Sequence, residues 1–475
     1  MGKKSGTELA ARDAVYVYGD EASRGDTPSI MTHFYVFDTR RGRTPVATRA
    51  EAVDWILART HRAPALRRRL HRVPGDLDYP HWIEAGIDPE HHIEFQRIGP
   101  TTRTRLHRLF ASLAERPLDA DRPLWGLHVL TDVRGVGDLP DRATVVALRV
   151  HHAVTDGKGA VQIARALFDD PAAEPSAGGT PVPIPGPFAA AGKLPRDYMR
   201  YAGAVRRWMR GRRSLGELAR RGEIVEPCPR RPRTRFNVVD YSTRLFGRVR
   251  FELQDVRALG QATGTTVNDV MLAVVSDAMH TYLADRGETP ADSLAAQVPV
   301  SLAARSDLAA ENKTSVMQVD LHTDRSDPLT RLSLIHESAA REKERVWRPE
   351  SIAVESLFDA LPSVCMRYSI GRAVRRAVAS AGDQIGPTNT SMSNVARGTA
   401  DCLRFGDSPA VDGFSAPCLN RLLGLMHSVV TLGDSLDVTF STKRAVMPDP
   451  EKYESLLEGA FDRLWAAVPA TVSVR

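Results

Sequence analysis

Two periodicities interleave along the chain. Stretches 29–37, 127–131, 143–150, 245–252 and 428–442 are strand-like runs, rich in apolar and β-branched residues. Between them, 49–59, 104–115, 160–168, 267–285 and 450–467 carry apolar residues at the 3.6-residue spacing of helices. Interleaving of this kind predicts an α/β or α+β fold. The stretch from Pro171 to Pro195, PAAEPSAGGTPVPIPGPFAAAGKLP, is so rich in Pro, Gly and Ala that it predicts a linker or surface crossover, not a helix or central strand. The pattern divides the chain into an N-terminal domain over 1–170, a connector over 171–235 and a C-terminal domain over 236–475.

Composition sharpens this picture mainly at the connector. A chain of 475 residues with 42% hydrophobic and 26% charged residues has enough apolar material for sizeable cores, which excludes a disordered chain. No run of about 18 apolar residues offers a membrane-spanning helix. The four cysteines, at 228, 365, 402 and 418, show no CxxC spacing, which fits a reducing cytoplasm and argues against structural zinc. The N-terminus has lysines but no apolar core for a secretory signal, and Gly6 stands where a myristoylation pattern needs Ser or Thr. The net charge of +6 is concentrated: residues 196–235 hold 13 arginines, no lysine and 4 acidic residues, a net of +9 that leaves −3 for the rest. Among these arginines lie Tyr198, Met199, Tyr201, Ala202, Val205, Trp208 and Met209. A basic amphipathic stretch reads either as an element for an anionic membrane surface or as a solvated helix covering the seam between domains. No nucleic-acid motif accompanies the charge, which argues against nucleic acid as a partner.

The chemistry is concentrated in Arg142–Asp170. A β-branched run over 144–150 feeds His151-His152, then Ala153-Val154-Thr155-Asp156-Gly157, then an amphipathic pattern through Val161, Ala164, Leu167 and Phe168. Successive side chains of an extended chain point to opposite faces, so His151 and His152 cannot share one substrate or one metal without strain. One acts and the other supports; a neutral imidazole can take a proton from a hydroxyl or amine near pH 7. Asp156 is expected to orient the turn by hydrogen bonds or an ion pair, and Gly157 to permit a tight exit. The second pair, His91-His92, has no Asp-Gly at the same spacing and shows that two histidines alone are weak evidence. No G-x-S-x-G elbow occurs.

The complete strand–HHxxxDG–helix arrangement resembles the signature of the CoA-dependent acyltransferase superfamily, which includes peptide-synthetase condensation domains. The remainder is similar to the bacterial wax ester synthase/diacylglycerol acyltransferases. Asp121-Arg122-Pro123-Leu124-Trp125 resembles that family's PLW motif and Thr266-Val267-Asn268-Asp269 its Asn-Asp motif. Pro299-Val300-Ser301-Leu302 and Glu311-Asn312-Lys313 resemble the segments that follow, Ser393-Asn394-Val395 the start of an SNVPGP motif, and His92 a histidine ahead of PLW. The likeness runs from about Ala10 to about Trp465. Ala396-Arg397-Gly398 departs from the expected Pro-Gly-Pro, so two rigid residues are lost and a charge is gained in a region the family sets near the acyl channel.

The resemblance implies two chloramphenicol-acetyltransferase-like subdomains with mixed sheets and a tunnel between them. It implies an acyl-CoA substrate, no permanently bound cofactor, and a hydroxyl acceptor such as diacylglycerol or a fatty alcohol. His152 would be the general base in direct transfer, His151 its support and Asp156 an orienter, while Gly157 would keep space for the tunnel. Asn268 would serve the oxyanion or CoA, and Ser393 and Asn394 the acyl channel. Asp269 divides evenly between such a role and capping a helix from Thr266. Trp125 reads as core. The altered segment after Val395 motivates an alternative, a condensation-type enzyme that joins a CoA or carrier-protein thioester to another alcohol or an amine. A non-catalytic acyl-CoA-binding scaffold is a third reading, against which the intact HHxxxDG argues. The sequence has no Rossmann or P-loop fingerprint and no metal-ligand spacing.

Overall fold

The computed structural model describes residues 5–23, 28–40, 46–170, 181–226, 230–237, 242–302, 312, 314–379, 386–419 and 423–469. Two six-stranded mixed sheets organise it. The first runs, in spatial order, Arg404–Phe405, Ser408–Ala416, Ile30–Asp38, Ala143–His151, Trp125–Val133 and Ile93–Arg97. The second runs Thr314–Asp320, Ala295–Ser301, Thr390–Ala396, Leu425–Leu432, Ser435–Lys443 and Arg244–Glu252. A small third sheet joins Arg68–His71, His81–Glu84, Ser5–Glu8 and Val182–Pro183. Each large sheet is covered by helices, giving the mixed α/β, two-unit architecture expected.

Three cores hold these layers. One lies between the first sheet and helices that include Ala11–Ala22, Arg49–Leu57 and Gly157–Leu167. Another joins the second sheet to Val267–Ala284, Pro328–Trp347 and Pro450–Ala467. The third fuses the halves: Phe34, Phe110 and Phe414 meet Phe246 from the second sheet, with ring centroids 4.3 to 6.4 Å apart. Burying four such rings supplies some of the strongest apolar contact in the molecule. Arg248 also crosses this seam. It pairs with Asp437 at 2.6 Å and with Asp412, a residue of the first sheet.

Chain order and spatial order part company at Ser408–Ala416. This strand belongs to the last third of the sequence, yet it pairs antiparallel with Ile30–Asp38 and completes the first sheet. Two expectations change at the level of elements. The 428–442 run is two antiparallel strands, Leu425–Leu432 and Ser435–Lys443, turned at Gly433, whose φ of 59° is left-handed. The Pro-rich crossover does not exclude helix: Pro187–Arg220 is one helix that begins inside it, with Pro187 in the first turn, where no amide hydrogen is needed, and Pro195 within. The helix packs on Pro349–Asp359 through Gly211, where a Cβ would lie 2.9 Å from the Glu350 carbonyl. Cys228 lies outside the described residues, as do Glu311 and Lys313.

Candidate active site

The His151-His152 pair sits where the strand Ala143–His151 ends. This strand is buried along its whole length, as its β-branched run requires. The following turn is closed by Asp156, which caps the helix Gly157–Leu167: its carboxylate accepts the Gly159 amide at 2.9 Å. That is the hydrogen-bonded form of the orienting role; its side chain makes no ion pair among the described residues. Gly159 is sterically favoured, because a Cβ there would stand 1.6 Å from Thr155 Oγ1 and 3.0 Å from its Cβ, so the threonine would have to move. Gly157 serves approach: its missing Cβ would be 3.2 Å from Val395 Cγ2. The HHxxxDG turn and the Ser393-Asn394-Val395 strand, on different halves, therefore meet at this glycine.

The two imidazoles diverge, as alternation demands. Buried His151 accepts the Ala153 amide on Nδ1 at 3.0 Å, which leaves the proton on Nε2, 3.1 Å from Asp20 Oδ2. Asp20 also accepts the Ser29 amide and hydroxyl, the latter at 2.6 Å, and the Ser29 carbonyl accepts the His152 amide at 2.8 Å. The backbone of His152 is thus held through a relay rooted in Asp20. Its own carbonyl accepts the side-chain amide of Asn312 at 2.8 Å, and the same amide nitrogen donates to Asp13 at 2.7 Å. The ring of His152 stacks on Tyr16, with centroids 4.7 Å apart and planes 13° apart. Its Nδ1 is buried without a hydrogen-bond partner among the described residues. Burial pushes this imidazole below its ordinary value, although Asn312 and the carboxylates of Asp156, Asp20 and Asp13 pull the other way. The ring is therefore neutral at pH 7, the form a general base needs. Burial likewise raises the Tyr16 phenol to about 12, so it stays protonated.

Sequence reasoning missed Asp13, Tyr16 and Asp20. The signal was present: they recur at i, i+3 and i+7, a polar stripe down one face of the helix Ala11–Ala22. Asn312 lay in a recognised motif without an assigned role.

The remaining predicted residues separate. Asp269 is committed to a capping box: Thr266 Oγ1 accepts the Asp269 amide at 3.3 Å, and Asp269 accepts the Thr266 amide at 3.0 Å and faces His336 Nδ1 at 2.8 Å. Asn268, partly buried in the first turn, has no side-chain hydrogen bond to the described residues. Ser393 donates to Ser428 at 3.2 Å and Asn394 is exposed. Trp125 is core and stacks on His92 at 4.6 Å. A cavity of about 210 Å³ beside that pair is lined by His92, Trp125, His128 and Arg149, not by His151 or His152.

Arg397, the departure after Val395, is 2% exposed. It donates to the carbonyls of Phe34 and Phe414, both at 2.9 Å, to Ser415 Oγ at 2.8 Å and to His33 Nδ1 at 2.8 Å, and lies 4.5 Å from the Tyr35 ring centroid. The added charge thus locks the second sheet's Thr390–Ala396 strand to the first sheet. Burial lowers both partners: His33 falls well below its ordinary value, with Arg397 and His152 adding to the effect, and Arg397 falls too.

Comparisons with known proteins agree over most of the chain. Residues 9–271 match the model of the wax ester synthase/diacylglycerol acyltransferase catalytic domain, and residues 310–464 match the WS/DGAT C-terminal domain. A Mycobacterium tuberculosis protein named "Putative diacyglycerol O-acyltransferase Rv2285" is 31% identical over 303 residues, covering 61% of this chain and 64% of that relative. A second from the same organism, named "Putative diacyglycerol O-acyltransferase Rv0221", is 27% identical over 98% of this chain and 97% of its own. Among solved structures, the wax ester synthase/diacylglycerol acyltransferase from Marinobacter aquaeolei VT8 superposes with a TM-score of 0.64 at 20% identity, covering 96% of this chain and 98% of that one. The first condensation domain of the calcium-dependent antibiotic synthetase gives 0.56 at 15% identity, covering 99% and 98%. At such identities these two likenesses speak of fold.

Proposed function

From a chain that belongs to the wax ester synthase/diacylglycerol acyltransferase family, we propose an enzyme that moves a long-chain acyl group from acyl-CoA to the hydroxyl of diacylglycerol or a fatty alcohol. The observation that carries this reading is the state of His152: neutral, stacked on Tyr16, gripped at its backbone, and beside the Gly157–Val395 meeting of the halves.

One ring nitrogen of His152 takes the acceptor's hydroxyl proton as that oxygen attacks the thioester carbonyl carbon. The tetrahedral oxyanion collapses, the C–S bond breaks, and the imidazolium returns the proton to the CoA thiolate. Such acid–base help is worth about 10²–10⁴ in rate, with alignment of both substrates supplying more. Asp20, Ser29, Asn312 and His151 are positioning residues. Asn268, with its amide unengaged, is the donor we assign to the oxyanion or to CoA, whereas the bonds of Asp269 support a capping role. Ser393 and Asn394 stand beside Val395, which supports their place along the acyl channel.

An acceptor of this kind resides in lipid. The helix Pro187–Arg220 exposes Phe188, Met199 and Tyr198 among its arginines, and the neighbouring Phe358 and Tyr368 are exposed as well. We assign this face to peripheral contact with an anionic membrane or lipid body from the cytoplasmic side. No described helix is long and apolar enough to cross a membrane. The buried Arg397 keeps the condensation-type alternative in view, since it changes the wall behind Val395. The test is His152→Ala in a thiol-release assay with acyl-CoA and diacylglycerol, where turnover falls at least about 100-fold with the circular dichroism unchanged. Full turnover by that variant ends the proposal. A donor panel of CoA against carrier-protein thioesters, crossed with alcohol and amine acceptors, separates the two readings.

A further inference from the structure

Away from His152, one end of the central strand pair of the small sheet gathers three metal-ligand atoms. Glu8 ends the strand Ser5–Glu8 and lies opposite His81 in antiparallel register, so strand pairing itself holds these two together. Asp78, in the bend three residues before His81, completes the group. One ligand atom from each of Glu8, Asp78 and His81 lies within 4.8 Å of the other two. The independent anomaly is His81. It is 0% exposed, and among the described residues neither ring nitrogen makes a hydrogen bond of good geometry, the Tyr79 backbone and the Asp78 carboxylate being polar groups that act on the ring. A neutral imidazole buried with both nitrogens unsatisfied is costly, and a metal bond is one of the few interactions that would use it. Two carboxylates and an imidazole form a donor set for zinc-like ions more than for magnesium or calcium, which prefer all-oxygen surroundings.

Size agrees with chemistry. An ion centred among three atoms no more than 4.8 Å apart lies within about 2.8 Å of each, and zinc bonds of about 2.0–2.2 Å need only a small contraction. Glu8 is exposed and free to supply it. The position already attracts positive charge. The Lys193 ammonium, from the helix Pro187–Arg220, lies 2.6 Å from Asp78 Oδ2, while Asp78 Oδ1 accepts the Tyr79 amide at 3.0 Å. Lys193 and a metal ion would compete for the same carboxylate.

We propose that Glu8, Asp78 and His81 bind a zinc-class divalent cation, which displaces the Lys193 ammonium from Asp78. The site lies outside the acyl-transfer machinery and does not depend on the proposed reaction. Its occupancy exchanges a contact of the arginine-rich helix for a metal bond, so the metal governs how that helix is tethered to the body. The sequence shows no local metal-ligand spacing, and these three residues escape such a pattern because 70 residues separate Glu8 from Asp78.

The experiment is zinc titration of the full chain at pH 7 by calorimetry, with metal content measured after gel filtration. The wild type binds one Zn²⁺ at this site. His81→Ala loses it, Glu8→Gln weakens it at least about tenfold, and Lys193→Met tightens it several-fold. Millimolar magnesium does not compete. Acetylation of Lys193 by an amine-reactive ester, followed by peptide mass spectrometry, speeds up when zinc is present. Because His81 is buried and its variant risks misfolding, the exposed Glu8→Gln and the Lys193 labelling each decide independently. No stoichiometric zinc, zinc binding that Glu8→Gln leaves unchanged, or Lys193 labelling indifferent to zinc overturns the proposal.

Discussion

Asp156 separates two roles that a single alanine substitution would confound. Its carboxylate caps the helix Gly157–Leu167 through the Gly159 amide, and its charge favours protonation of His152. Asparagine keeps the cap, since Asn and Asp are nearly equivalent there, but removes the charge; alanine removes both. Losing a side-chain cap costs about 0.5–2 kcal/mol, and losing a negative charge at a helix N-terminus about 0.3–1 kcal/mol. Asp156→Ala should therefore unfold about 1–2 kcal/mol more easily in urea, and Asp156→Asn by less than half of that. In acyl transfer both should keep turnover within about tenfold of wild type, because neither removes the base. The acid limb of kcat/KM should move to lower pH in both, since a carboxylate that raises the His152 pKa is gone. The assays are urea melts alongside a pH series of thiol release. If Asp156→Asn melts like the wild type yet loses as much turnover as His152→Ala, the carboxylate takes part in the chemistry and the capping account fails.

Three further outcomes follow from particular contacts. His427 bonds Thr390 and Tyr453, and burial lowers it to about 3. The unfolded chain takes up its proton near pH 6.5 while the folded chain does not, so stability falls as pH drops through that window, by about 1.4 kcal/mol per pH unit. Between pH 7 and pH 5, His427→Gln should lose about 2 kcal/mol less stability than wild type in paired urea melts, and parallel pH curves would refute this. Gly159→Ala drives a Cβ into Thr155 Oγ1 and should cost about 1–3 kcal/mol, part of it recovered in the double variant with Thr155→Ala; an undiminished single-variant melting temperature would contradict the steric account. Arg248→Met leaves buried Asp412 and Asp437 with only one of their two cations, Arg250, and should cost up to about 3–5 kcal/mol in a thermal or urea melt. Adding Asp437→Asn should restore part of that loss, and a neutral Arg248→Met would show the pair to be dispensable.

What was legible in the sequence is what depends on neighbours in the chain. The strand before His151, the Asp156 turn, the amphipathic helix after it and the Thr266–Asp269 cap are all fixed within a few residues, and each is found where local pattern predicts. The partners that make His152 usable come from far away: Tyr16 and Asp20 precede it by more than 130 residues, and Asn312 follows by 160. Their polar stripe is visible in the sequence, but not the surface it faces. The 428–442 run reads as one strand because β-branched and apolar residues continue on both sides of Gly433-Asp434, the only two residues between the strands. The start of Pro187–Arg220, up to Pro195, looks irregular in composition because proline at a helix start resembles proline in a loop. Ser408–Ala416 carries Pro, Gly and Asp and matches no strand pattern; its place is decided by the open edge of Ile30–Asp38.

That late-arriving strand has a consequence for how the protein is made. When the ribosome has finished residues 1–170, the first sheet still lacks its neighbour for Ile30–Asp38, and the backbone groups of that edge stay open to wrong partners. About 240 more residues must be translated before Ser408–Ala416 can close it, an interval of tens of seconds at about 5–20 residues per second. The half that bears His152 thus completes its sheet only near the end of synthesis. Nascent chains stalled before residue 400 should bind chaperones more than the finished chain, in which that edge is paired.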